Sequence, residues 1–152
     1  MEKLHLYLVR HCESLGNREN IFQGQLDLDI SATGEKQLAL LALRFRNIPI
    51  DAVYSSPLKR AYKTAEAVDL YHSLPIIKLP ELMEVDVGAL SGMKLDKAFS
   101  DYPVFAEKWQ NSPQNCIFPE GETTAEVYDR AKKALALSLI HISEPTRHSL
   151  IS

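Results

Sequence analysis

The chain has 152 residues and a formal charge of −3, with 45% hydrophobic and 24% charged residues. That length suits one domain with a sizeable core, and the slight acidic excess excludes the basic footprint of a nucleic-acid binder. No apolar run is long enough to span a bilayer and no export signal opens the chain, so a cytoplasmic protein is expected, with Cys12 and Cys116 present as thiols.

Leu4 to Val9 form a short, nearly continuous apolar run, the pattern of a central parallel strand covered on both faces. The polar, glycine-bearing stretch from 16 to 34 reads as an extended loop. From Ser31, a candidate N-cap, Leu38, Leu41, Ala42 and Phe45 recur at helical spacing as far as Asn47. IDAVYSS reads as a second strand. The segment SPLKRAYKTAEAVDLYH then reads as a helix, with Ser56 as cap and Pro57 in its first turn. Leu74 to Leu79 makes a third short strand. Residues 94 to 111 read as helix in two pieces broken before Pro103, and PEGETTAEVYDRAKKALAL as a further long helix with Glu122 in the region of its first turn. Strands alternating with helices predict an α/β fold on a mostly parallel sheet, with its site beyond the carboxyl ends of the strands.

Arg10, His11 and Cys12 fall at that edge, where two phosphate-handling readings compete. Cys12 to Arg18 has the C-x5-R spacing of a thiolate phosphatase loop, but Glu13 and Glu19 place carboxylates where a dianion would sit, which makes a poor cradle. The alternative takes His11 as nucleophile and Arg10 as a clamp. Neutral imidazole is nucleophilic near pH 7, and a phosphoryl group needs arginine forks around its oxygens.

The segments LVRHCESLGN, FQGQLDLDISATGEKQ, YSSPLKRAYKTAEA, ELMEVDVGALSG and PEGETTAEVYDR follow one another at suitable spacings. In that order they resemble the motifs of the histidine phosphatase superfamily (branch 1), which includes the cofactor-dependent phosphoglycerate mutases. The resemblance covers residues 4 to about 136 and implies a phosphoglycerate mutase-like fold, three layers with helices on both faces of the sheet. It implies that His11 becomes a phosphohistidine, that Arg10, Asn17 and Arg60 bind the phosphoryl group, and that Glu84 gives a proton to the leaving alcohol. To serve as that acid, Glu84 is expected to be partly buried among Leu82, Met83 and Val85. Gln23 and Gly24 fall where relatives line the substrate mouth.

The expected activity is hydrolysis of small phosphomonoesters of the phosphoserine, α-ribazole phosphate or sugar phosphate type, with no cofactor and no membrane or nucleic-acid partner. No spacing of histidines, cysteines and acids suggests a metal site. The rival readings are mutase-type phosphoryl transfer, for which the spacing is compact, and an inactive fragment or phosphate-binding pseudoenzyme.

Two departures bear on these expectations. Cys12 stands where the family usually has glycine, which would strain the chain if φ there were positive. After residue 136 relatives continue to another core strand and a second histidine in a Ser-His-Gly context, whereas here LSLIHISEPTR, residues 137–147, resembles the in-frame translation of a sequencing-library adaptor. The expected organisation is therefore a histidine phosphatase domain over 1–136, incomplete at its C-terminus, and a non-native tail over 137–152. On that view the sheet has an open slot or edge, and neither His141 nor His148 is the second catalytic histidine.

Overall fold

The computed structural model describes residues 4–140 and 148–151. The apolar runs form β1 (His5–Leu8), β2 (Ala52–Ser55) and β3 (Ile76–Lys78), the last shorter than its apolar stretch. α1 (Leu15–Glu19) lies in the segment read as loop. A helix this short carries no apolar periodicity, so only its capping chemistry marks it: Ser14 Oγ accepts the Asn17 N–H at 3.1 Å and Asn17 Oδ1 accepts the Ser14 N–H at 3.0 Å.

α2 (Ala32–Phe45) begins where its cap predicts, with Ser31 Oγ accepting the Gly34 N–H at 3.0 Å. α3 (Lys59–Asp69) begins later than the Ser56 and Pro57 pair suggests, with Leu58 at its N-cap. Ser56 Oγ accepts the Leu58 N–H at 3.3 Å, and the Lys59 N–H is capped from a distance by Asp27 Oδ1 at 2.6 Å. A carboxylate there also complements the helix dipole, and no local pattern could announce a cap supplied 32 residues upstream.

The sheet runs β1-β4-β2-β3 with every pair parallel. β4 (His148–Ile151) fills the slot between β1 and β2, so the gap expected in the sheet is closed. Along β2 the side chains alternate. Val53 packs with Phe45, Ile50, Ala65 and Val68 under α2 and α3, whereas the Tyr54 hydroxyl lies 3.5 Å from the Ser138 carbonyl of α6 (Thr124–Ile140) on the opposite face. This gives the three-layer α/β/α arrangement. α6 runs past residue 136, and Glu122 precedes its first turn.

β1 differs from expectation. Tyr7 meets Phe45 edge-on at 5.8 Å, but Leu6 and Leu8 are 38% and 74% exposed, and β1 forms an edge of the sheet among the described residues. The reason is coverage: α6 is placed over β2, and no described element pairs with β1 on its free side or covers Leu8.

A second core lies beside the sheet. α4 (Leu95–Asp101) and α5 (Pro103–Asn111), divided at Pro103 as expected, pack around Phe22, Val87, Leu90, Phe105, Cys116 and Phe118. The residues expected to form the site lie between these two cores.

Candidate active site

Arg10 and His11 leave β1 at the carboxyl edge of the parallel sheet. Together with Asn17, Gln23, Gly24, Arg60 and Glu84 they line one cavity of about 170 Å³, so all seven residues singled out in the sequence converge.

His11 Nδ1 lies 2.6 Å from the Cys12 carbonyl oxygen. A carbonyl only accepts, so Nδ1 carries the proton and Nε2 of the neutral ring keeps its lone pair. Burial, then the charges of Arg60 and Arg10, hold the imidazole below its usual 6.5, opposed by the Cys12 hydrogen bond and by Glu84. The ring is therefore neutral at pH 7.

Arg60 is 2% exposed, so its charge is not a solvated one on the helix surface. It donates to the Leu26 carbonyl at 2.9 Å and to the Gly24 carbonyl at 2.7 Å. These bonds orient a fork with five N–H groups and leave others for a ligand. The loop is bound to α3 at two further points, Asp27 at the Lys59 N–H and Asp29 with Lys63. Gly24 has φ +50°, and a Cβ there would sit 2.7 Å from Val87 Cγ2 and 2.8 Å from the Val85 carbonyl, so this turn admits only glycine.

Asn17 uses its amide oxygen to accept from Ser14, which leaves its NH₂ as a donor toward the cavity. Gln23 is buried, and its Oε1 accepts from the Ser14 hydroxyl at 2.7 Å. One serine thus orders both amides. Glu84 stands exposed, contrary to the partial burial expected of it, with Oε1 accepting the Val85 N–H at 2.9 Å. The neighbouring apolar residues Leu82 and Met83 turn toward a second cavity, which shares Arg10, His11, Arg60 and Glu84 with the first.

Cys12 does not line either cavity. Its backbone is free of positive φ, its N–H donates to Thr64 Oγ1 at 3.0 Å, and burial pushes its thiol up. A neutral buried thiol is a poor nucleophile, and Arg18 is exposed on α1, so the C-x5-R reading has no site here. His148 pairs in register with His5, at the amino ends of the strands and away from His11, while His141 lies outside the described residues.

The sequence reading missed one wall of the cavity. Phe22, Val87 and Phe118, with Val85 and Trp109, bring apolar surface against the polar residues. Their apolar character alone marks them as core, and only packing of α5 against the 20–30 loop turns this face to a ligand. Among the described residues no three His, Cys, Asp or Glu side chains gather as a metal site, and no helix is long and apolar enough to cross a membrane.

A neutral imidazole, two guanidinium groups and a carboxylate line one cavity at the carboxyl edge of a parallel three-layer fold. The chain belongs to the histidine phosphatase superfamily (branch 1), whose family model matches residues 6–148. It is 41% identical over 127 residues to phosphoserine phosphatase 1 of Hydrogenobacter thermophilus, covering 84% of this chain and 60% of that protein. Its structure is similar to that of Bacillus stearothermophilus YhfR, at 27% identity and a TM-score of 0.91, covering 98% of this chain and 73% of that one. The α-ribazole phosphatase of Shigella flexneri is also similar, with 25% identity, a TM-score of 0.85 and coverage of 97% and 72%. The chain thus spans about 60% of the length of the first curated relatives it matches.

Proposed function

We propose that this protein hydrolyses small phosphomonoesters through a phosphohistidine on His11. The observation that carries the reading is the His11 tautomer, fixed by the Cys12 carbonyl, which presents Nε2 in a cavity lined by Arg10, Arg60 and Glu84.

The phosphoryl oxygens are held by the Arg10 and Arg60 forks and the Asn17 NH₂. His11 Nε2 attacks phosphorus, the P–O ester bond breaks, and Glu84 gives its proton to the departing oxygen. A water then attacks the phosphohistidine, Glu84 takes its proton, and inorganic phosphate leaves with His11 regenerated. Positioning and charge clamping supply most of the rate in such transfers. No step calls for a metal or cofactor.

The apolar wall of Phe22, Val87 and Trp109 and the Gln23 and Gly24 edge suit a substrate with a carbon skeleton, of the phosphoserine, α-ribazole phosphate or sugar phosphate type. The same reading places the protein in the cytoplasm, where Cys12 and Cys116 stay as free thiols.

Rapid quench with a phosphomonoester tests this. An acid-labile phosphoenzyme that is lost in His11→Ala and decays to inorganic phosphate is the expected result. Return of the phosphoryl group to another hydroxyl of the same substrate, in place of release as inorganic phosphate, would make it a mutase, and binding of inorganic phosphate with no turnover would make it a phosphate-binding pseudoenzyme.

A further inference from the structure

We infer that Arg130 is a positioning residue for Glu84: gripped by the Glu122 carboxylate, its guanidinium holds the backbone of residues 81–84 and so fixes where Glu84 stands beside His11. The inference rests on the reading of Glu84 as the proton donor.

Every N–H of the guanidinium has an acceptor. Nε donates to Glu122 Oε1 and Nη2 to Glu122 Oε2, both at 2.8 Å, a bidentate pair. The remaining donors reach the chain that carries the acid: Nη1 to the Glu81 carbonyl at 3.0 Å and to the Met83 carbonyl, and Nη2 to the Glu84 carbonyl at 3.0 Å. Glu122 grips the far end of the same segment, with Oε2 accepting the Asp86 N–H at 2.8 Å and its own N–H donating to the Asp86 carbonyl at 2.9 Å. This approach is close enough that a Cβ on Gly121 would lie 2.2 Å from the Asp86 oxygen.

The acid segment needs such a clamp. It is a 3₁₀ turn, Pro80–Leu82, followed by extended chain, and Glu84 is exposed with no packing to hold it. Gln25 adds one bond to the Glu84 carbonyl at 3.2 Å. The Arg130 hydrogen bond holds the Glu122 carboxyl below its usual range, which keeps the pair ionised wherever the enzyme would work. Arg130 lines neither cavity, so its effect on a reaction must pass through the groups it holds. A general acid must lie within hydrogen-bond reach of the leaving oxygen, and displacement of about 1 Å costs about 10²-fold in rate.

The test compares Arg130→Met, Arg130→Lys and Glu122→Gln with the unaltered 152-residue chain on an alkyl phosphate and on p-nitrophenyl phosphate, and follows His11 by NMR titration. Arg130→Met is expected to lower kcat/KM on the alkyl ester by about 10²-fold while sparing the aryl ester, whose leaving group needs no proton. It should add nothing in a Glu84→Gln background, and Arg130→Lys should not rescue it, since a point charge cannot serve this set of acceptors.

The His11 titration reads Glu84 without turnover. Arg10 and Arg60 lower it and Glu84 raises it, so letting Glu84 drift moves it down, as Glu84→Gln does, whereas mere loss of the Arg130 charge would move it up. Equal losses on both esters, or a His11 titration that does not fall, overturns the inference. If the unaltered chain turns over neither ester while the His11 titration still falls in the variants, the phosphatase reading fails and the role of Arg130 stands. Glu122→Gln, which keeps the side-chain shape, carries the same comparison if Arg130→Met does not fold.

Discussion

At the scale of single residues, the neighbours of His11 decide its chemistry. The Cys12 carbonyl fixes which nitrogen is free, and burial with two arginines keeps the ring neutral. Because that pKa is depressed, the ring stays neutral below the ordinary 6.5, and the nucleophile of the proposed reaction is lost only when pH falls through the lowered value. The acid limb of kcat/KM for the free enzyme is therefore expected below 6.5, and an acid limb at or above it would contradict the neutral-ring account. Cys12 contributes its backbone rather than its sulfur. Cys12→Ser is expected to leave turnover within a few-fold of the parent in a steady-state assay, whereas abolition would revive the thiolate reading. His11 and Cys12 were both visible in the sequence, but the direction in which each would titrate depended on burial that no local pattern encodes.

At the scale of elements, the site depends on the 20–30 loop and the first turn of α3 holding each other. Arg60 donates to two loop carbonyls, while Asp27 caps the helix that carries Arg60. Gly24→Ala forces a side chain into left-handed backbone and against Val87. It should cost about 1–3 kcal/mol of unfolding free energy by denaturant titration, from strain and overpacking together, and should weaken phosphate binding with it. A smaller cost would mean that the loop yields easily. On the 81–86 segment, Glu84→Gln is expected to slow alkyl phosphates more than aryl phosphates, and equal slowing in parallel assays would remove Glu84 as the acid. Arg60 on α3 and Glu84 on the 81–86 segment were legible because the segments that carry them resemble the motifs of the histidine phosphatases. Arg130 stands in a recognisable motif, but nothing local to it indicates that α6 brings it against the Glu81, Met83 and Glu84 carbonyls.

At the scale of the molecule, two cores meet along the cavity, and β1 is packed on one face only. Leu8 is 74% exposed and Val53 fully buried. Leu8→Ser is expected to change stability by no more than about 0.5 kcal/mol, while Val53→Ala should cost about 2 kcal/mol. A large loss at Leu8 would show that some other part of the protein covers that face in solution. Activity is expected to survive chelator treatment, since every group in the proposed steps is a side chain or water, and inhibition by EDTA that zinc or magnesium reverses would overturn that.

The sequence by itself determined the alternation of strands and helices and the split before Pro103, because apolar periodicity and capping residues are written in residue types and short spacings, while the residues that gather in the cavity were named through their resemblance to the motifs of the histidine phosphatases. Only the tertiary structure decided that β1 is an edge among the described residues, that β4 enters between β1 and β2, that Glu84 stands exposed, and that an aromatic wall lines the same cavity as Arg10 and Arg60. These depend on contacts between segments far apart in the chain, where the favourable energy comes from which surfaces meet and the local sequence is compatible with several partners.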